Sequence, residues 1–390
     1  MHRITLILIL FLFLPDIYIY FVHLVRKTKR HWLLWAYWAP TLLLTVAYIY
    51  YLYLGGANAM SHNAQAIGYL AIVTLLLAAP KTIFMLCSLV GMGVHLLFRR
   101  CPTKPFTLTG LTLALISFGN ILYGSTEGIR HFQVKEVTYE SPRLPQGFDG
   151  YRIVQLSDIH IGSWEGKEAD IERMVNLANS QEADLIVFTG DLVNQQSHEL
   201  DGFTSILSRL HAPDGVYSIL GNHDYGTYYR WANAQEEADN LQRLKDLQQG
   251  MDWRMLNNDH TLLYHQGDSI ALIGVENDGE PPFSQHADLA RASHDTNGLF
   301  SILLSHNPTH WRRQVLPESD IDLMLSGHTH AMQMSLFGRS LASLKYPEWS
   351  GFYYEGTRAL YVNVGIGYVG LPFRFGAWPE ITVITLRRAE

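Results

Sequence analysis

Leu185-Ile186-Val187-Phe188-Thr189-Gly190-Asp191 reads as a short, wholly apolar strand that stops on a glycine and a carboxylate. A brief continuous apolar run suits a strand buried on both faces, as in parallel sheets covered by helices. The pattern recurs along the chain. Leu156-Ser157 leads into Asp158-Ile159-His160, Leu220-Gly221 into Asn222-His223-Asp224, Leu304-Ser305 into His306, and Ser326-Gly327 into His328-Thr329-His330. In α/β folds the loops beyond the carboxyl ends of strands commonly form the site. Gly190, Gly221 and Gly327 are expected to permit tight turns there. Together these ends supply carboxylate, imidazole and amide donors for two adjacent metal ions, the equipment of a hydrolase acting on phosphate esters. Each signal alone is weak, since a single Asp-X-His is more often a turn and a single His306 more often a core imidazole. The conjunction of five strand ends carries the reading.

Around these ends the chain alternates. Arg152–Leu156, Val216–Leu220, Ile270–Val275, Ser301–Leu304 and Asp322–Leu325 read as further strands, and Lys167–Gln181, Glu199–Leu210 and Trp231–Gln249 as helices. His131–Tyr139 suits an edge strand, and Leu360–Val364 and Ile381–Leu386 are expected to complete a second sheet. A layered α/β architecture follows. There are no internal repeats or low-complexity tracts.

The composition divides near residue 130. Residues 1–131 hold ten Lys and Arg against Asp16 and Glu127, a net of +8, which leaves −15 for the rest of a chain whose total is −7. So acidic a domain repels nucleic-acid phosphates, which excludes a DNA- or RNA-binding role. Residues 1–130 instead contain apolar runs near the ~20 residues that cross a bilayer. They lie at about 4–24, 32–54, 67–98 and 106–123. A cleaved signal peptide is the alternative for the first, but no small-residue cleavage site follows it and more spans come after, so it is expected to be a span. Ile67–Phe98 is long for one straight span and holds Pro80 and Lys81, which suggests an interfacial piece followed by a crossing from about Thr82. The basic loops Arg26–Arg30 and Arg99–Lys104, against the uncharged Gly55–Gln65, place both termini outside if there are four spans; five spans would move the C-terminal domain to the other face. Cys87 and Cys101 both lie in the membrane part, so residues 131–390 fold without an internal disulfide.

The ordered set Asp-X-His, Gly-Asp, Gly-Asn-His-Asp, His and Gly-His-X-His resembles the calcineurin-like metallophosphoesterase superfamily over about residues 131–390. The flanking Leu144-Pro145…Phe148-Asp149-Gly150-Tyr151-Arg152-Ile153 and Tyr361-Val362-Asn363-Val364-Gly365-Ile366-Gly367 are similar to bacterial membrane-associated phosphodiesterases of the YaeI-like group, although a multi-span N-terminus departs from the simpler members. The resemblance implies an αββα sandwich preceded by an all-α region of about four membrane helices. It implies that Asp158, His160, Asp191 and His330 bind one divalent ion and Asp191, Asn222, His306 and His328 the other, with manganese the first expectation and iron or zinc the alternatives. A solvent hydroxide held between the ions would be the nucleophile. His223 would serve the leaving group, with Asp224 orienting its ring.

Gln333 and Asn363 read as buried hydrogen-bonding residues, and Phe373, Arg374, Phe375 and Trp378 as a packed C-terminal loop rather than a phosphate-binding lip. The other histidines, among them His310, read as surface or loop residues. The expectation is a multi-pass, membrane-anchored phosphoesterase with an extracytoplasmic catalytic domain. Its substrate is expected to be a phosphodiester or pyrophosphate of a lipid or envelope precursor, and its partners the ester and the bilayer, with no nucleic acid and no evident protein partner. The alternatives are a catalytically silent membrane sensor on the same fold, a phosphomonoesterase of a soluble substrate, and a transport-type bundle with a regulatory domain, against which the few ionisable residues of the spans argue.

Overall fold

The computed structural model describes residues 2–51, 64–281 and 283–389. They form two compact units, Met1–Glu127 with Gly370–Phe373, and Gly128–Val369 with Arg374–Glu390.

The first unit is helical: α1 (His2–Ile19, continuing as a π turn over Tyr20–Leu24), α2 (His31–Ile49), α3 (Ala64–Leu97) and α4 (Lys104–Thr126). Three described helices, His31–Ile49, Gln65–Leu97 and Lys104–Arg130, are long and apolar enough to cross a membrane; Leu10–Leu24 is a shorter apolar helix. The end of the second expected span, from Leu52, and the uncharged segment to residue 63 fall outside the described residues. Ile67–Leu97 lies in one continuous helix, Ala64–Leu97, of 34 residues with Pro80 inside. Lys81 is accommodated because its Nζ lies 2.7 Å from Oδ1 of the buried Asp16, which also accepts from Tyr37 at 2.6 Å and from Thr41. Pairing removes the cost of an isolated charge among apolar helices.

The second unit holds two six-stranded sheets. The first has the order β1 (Gln133–Ser141), β12 (Glu380–Arg388), β2 (Arg152–Leu156), β3 (Leu185–Phe188), β4 (Val216–Ser218) and β5 (Trp253–Met255). The second runs β10 (Gly351–Glu355), β11 (Arg358–Val362), β9 (Leu323–Ser326), β8 (Ser301–Leu304), β7 (Asp268–Gly274) and β6 (Asp259–His265). The late strands therefore separate. β11 joins the second sheet, but β12 enters the first, parallel to β1 and antiparallel to β2.

Alternation along each strand builds the layers. Ile153, Leu185 and Val187 of the first sheet share a core with Leu272, Ile302, Leu304, Leu323 and Leu325 of the second. Their neighbours Val154, Ile186 and Phe188 face the opposite way, onto α5 (Glu168–Asn179) and α6 (Ala234–Gly250) through Ile171, Met174 and Leu244. On the outer face of the second sheet, Ile273, Leu303 and Met324 pack on Leu289, Trp311 and Val315. Hence the apolar runs have no polar face. The expected helix Glu199–Leu210 is instead two single turns, Ser197–Leu200 and Thr204–Leu207, because Gly202 between them has φ 88° and breaks the helical path.

Candidate metal centre

β2, β3 and β4 are parallel neighbours, with Leu156 paired to Phe188 and Phe188 to Ser218; β8 and β9 are likewise parallel, with Leu304 paired to Leu325. Their carboxyl ends deliver every expected ligand to one buried cluster. Donor atoms of Asp158, His160 and His330 lie within 4.8 Å of one another, as do those of Asp191, His306 and His328. Asp191 Oδ2 stands 3.6 Å from His160 Nε2 and 3.2 Å from His306 Nε2, so one carboxylate oxygen reaches both groups. Asn222 Oδ1 is 3.2 Å from His306 Nε2, and its amide donates to Tyr228 Oη at 2.9 Å.

Five of these residues adopt left-handed backbone: Asp158 (φ 51°), His160 (46°), Asp191 (60°), His328 (73°) and His330 (49°). Each such non-glycine residue costs of order 1–3 kcal/mol and persists only where its surroundings over-determine it. Here they do. Asp191 Oδ1 accepts from the His223 amide at 2.8 Å, and Asp158 accepts from the His328 amide at 3.0 Å, which ties the two sheets together. Gly190 makes the turn into Asp191 with φ 95°. Gly327, expected as a turn, has ordinary backbone; it is required because a Cβ there would strike the Ser157 hydroxyl and the Asp158 carboxylate.

Electrostatics suit cations. Burial alone would raise the Asp191 carboxyl, but His306 and His223 hold it well below the usual carboxylate range. Burial would lower His306, but the Asp191 and Asp158 carboxylates push it up to about 9. His328 falls to about 3 through burial and the neighbouring His306, and His160 also falls, through burial and His223. Imidazole nitrogens meet at 3.1 Å (His160 Nε2 and His330 Nε2) and at 3.3 Å (His306 Nε2 and His328 Nδ1). Nitrogens this close in a buried space need either a proton or a cation between them. A donor set of two carboxylates, four imidazoles and an amide oxygen therefore fits two divalent ions of the manganese, iron or zinc kind. Outer contacts fix the rings: Thr189 carbonyl accepts from His306 Nδ1 at 2.8 Å, and Tyr346 Oη meets His328 Nε2 at 3.0 Å.

His223 lies beside this cluster, 4.8 Å from the His160 ring and 4.5 Å from the Tyr228 ring. Asp224 does not orient it. Its carboxylate accepts from the amides of Asp191 (2.9 Å), Leu192 (2.8 Å), Val193 (3.2 Å) and Gly221 (2.8 Å), and the ring is fixed by the Asn194 carbonyl, which accepts from Nδ1 at 2.6 Å. Burial and Asp191 push the Asp224 carboxyl up to about 7, while its backbone donors favour the ionised form. Asp224→Ala strands these buried amides at roughly 1–3 kcal/mol for each one that water cannot reach. A fall in melting temperature of about 10 °C is expected for the purified full-length protein; a shift under about 2 °C would show the carboxylate to be dispensable.

Arg374 supports the packed-loop reading. It is fully buried and donates to the carbonyls of Gly367, Ala377 and Val364 and to His330 Nδ1 at 3.0 Å. Gln333 and Asn363 are buried and hydrogen-bonded as expected. His310 is a correction: it is buried, 2.9 Å from Ser305 Oγ and 3.2 Å from Asp278. Sequence reasoning missed Tyr346 and Tyr228, whose hydroxyls stand outside the motifs, and the role of Ser157, which leads into the Asp158 motif and donates to its carboxylate.

Residues 2–129 match the family described as "Probable Calcineurin-like phosphoesterase, transmembrane domain", and residues 151–332 match "Calcineurin-like phosphoesterase". The chain is 34% identical over 267 residues to the uncharacterized metallophosphoesterase YkuE of Bacillus subtilis, covering 65% of this chain and 85% of that protein. It is 32% identical over 279 residues to a transmembrane protein with metallophosphoesterase domain from Danio rerio, covering 69% of this chain and 60% of the other. An uncharacterized Helicobacter pylori metallophosphoesterase is 31% identical over 293 residues, with 74% and 72% covered.

Proposed function

Because this chain belongs to the calcineurin-like metallophosphoesterases and carries a transmembrane region ahead of its catalytic domain, we propose that it is a membrane-anchored phosphodiesterase working with two divalent ions. Residues 1–130 anchor it, and residues 131–390 hydrolyse a phosphodiester or pyrophosphate of a lipid or envelope precursor on the extracytoplasmic side. The observation that carries the dinuclear reading is Asp191 Oδ2, placed 3.6 Å from His160 Nε2 and 3.2 Å from His306 Nε2. Asp158, His160 and His330 would hold one ion and Asn222, His306 and His328 the other, with Asp191 shared, and manganese is the metal we expect. When bound, such ions supply an activated solvent nucleophile and neutralise charge on the phosphoryl oxygens.

The chain's own residues do the rest. The Asn194 carbonyl holds the His223 Nδ1–H, so that the protonated ring has its Nε2–H free to pass to the departing oxygen and is left as the neutral Nδ1–H tautomer. Tyr346 and Thr189 keep His328 and His306 from rotating. The test is hydrolysis of bis-p-nitrophenyl phosphate and p-nitrophenyl phosphate by the purified full chain, with bound metal assayed alongside. Manganese-stimulated cleavage that favours the diester, with about two metals per chain, is expected. A preference for the monoester would point to a phosphomonoesterase, and a protein without bound metal to a silent sensor.

A further inference from the structure

The segment that leaves the metal cluster at His330 returns to it at Tyr346, whose hydroxyl contacts His328. Between them it turns its apolar side chains outward. Phe337 is fully exposed (104%) and Leu344 nearly so (84%), with Met332, Leu336 and Leu341 each about half exposed or more. Soluble surfaces rarely collect large apolar side chains in so short a stretch. The segment is firmly built. Leu336 and Arg339 exchange backbone hydrogen bonds at 2.8 and 3.0 Å around a two-residue tip, where Phe337 has φ 52° and Gly338 φ 73°. Ser335 N donates to the Phe375 carbonyl at 2.9 Å, and Ser340 Oγ to the Ala331 carbonyl at 2.5 Å. Phe337 is thus held at the apex of a short hairpin.

Charge identifies what this hairpin meets. From His330 to Pro347 the only charged residues are Arg339 and Lys345, both exposed, and there is no Asp or Glu. That stretch is a basic, apolar island in a domain whose formal charge is about −15. Apolar side chains interleaved with cations are the composition of elements that rest in a bilayer interface, where acyl chains take the former and anionic headgroups the latter. The chain's own apolar helices keep a bilayer within reach.

We propose that residues 332–345 are a membrane-docking element that inserts Phe337 and Leu344 into the interface of an anionic bilayer. The metal cluster at its base would then open onto phosphoesters held at headgroup depth. Docking stands on the hairpin's own chemistry; only the choice of a lipid substrate rests on the phosphoesterase reading. The enzyme would then be selective for an ester carried by a lipid, because a soluble ester gains nothing from the insertion.

The experiment uses the full chain in nanodiscs of phosphatidylcholine and phosphatidylglycerol at about 4:1, with Cys87→Ser and Cys101→Ser removing the native thiols. An environment-sensitive fluorophore is placed in turn at Phe337→Cys, Leu344→Cys and, as control, Ala238→Cys on α6. Doxyl-labelled lipid is expected to quench the first two labels and not the control, and aqueous iodide the reverse. In parallel, Phe337→Glu/Leu344→Glu is assayed on hexadecyl and ethyl p-nitrophenyl phosphate, each cleaved by water with release of nitrophenolate. About tenfold or greater loss on the hexadecyl ester, with the ethyl ester unchanged, is expected.

Equal iodide quenching at Phe337 and Ala238 overturns docking. So does protection from iodide without doxyl quenching, which would mean that a second copy or another protein covers the hairpin. Equal turnover of both esters by the variant overturns the lipid-substrate half. Wild type inert toward both esters would count against the phosphoesterase reading instead, while the quenching result still decides docking.

Discussion

Asp191→Asn is expected to lower hydrolysis by roughly 10³-fold, the upper end of what one electrostatic group contributes in a buried site, and to take bound metal from about two per chain to below one. The substitution is nearly isosteric, and Asn tolerates the left-handed backbone at φ 60°. Its carbonyl oxygen can still accept from the His223 amide, so the loop stays in place. What changes is Oδ2. An amide nitrogen there points hydrogens at His160 Nε2 and His306 Nε2, the two nitrogens that must keep lone pairs toward the cluster. The negative charge that both triads share is lost as well. Metal analysis and turnover on bis-p-nitrophenyl phosphate check the prediction together, with a thermal melt to show that the fold survives. A variant that keeps both metals and more than about a tenth of the activity would sink the shared-carboxylate assignment.

The second large effect should arise at His223, where the expected result is the opposite combination. His223→Gln should cut kcat by about 10²–10⁴-fold, the usual value of general acid assistance, and leave bound metal unchanged. His223 is adjacent to Asn222, but its ring is fixed by the Asn194 carbonyl and lies edge-on to His160, 4.8 Å between centroids. A proton donor also leaves a distinctive signature. p-Nitrophenolate departs with little help, whereas an alkoxide needs a proton as the P–O bond breaks. The loss in His223→Gln should therefore grow as the pKa of the leaving alcohol rises. An equal loss across leaving groups would reduce His223 to a positioning residue, and loss of metal would move it into the ligand set.

Much of the site was legible because short strands buried on both faces leave an unmistakable trace, an apolar run closed by a small residue and a polar one. Leu185–Phe188 and Ser301–Leu304 have the expected bounds in the structure. Apart from the helix Glu199–Leu210, which Gly202 breaks from within, the failures turn on contacts that the local sequence does not show. Nothing local in Ile381–Leu386 says that it pairs with Ile153 and Val137 rather than with the second sheet. Pro80-Lys81 looks like a break until Asp16, 65 positions earlier, is found to neutralise the lysine. Asp224 sits next to His223 in sequence, yet the curvature of Gly221–Asp224 turns its carboxylate onto the Asp191–Val193 backbone. Adjacency in sequence was a poor guide to contact, and strand order a good one.

The position of β12 also dictates when this protein can become active. The first sheet places its last strand in sequence, Glu380–Arg388, between β1 and β2, its two earliest. Until Glu380–Arg388 has left the ribosome, β1 lacks its described neighbour in the sheet and β2 lacks one of its two. Asp158 and His160 hang directly from β2, so two of the seven expected ligands lack part of their support until β12 is made. His306, His328 and His330 are themselves among the later residues to emerge. The apolar helices, first in sequence, are therefore made before β12 can complete the sheet that carries the ligands. A complete ligand cluster therefore has to await the synthesis of β12, although that strand supplies none of its ligands.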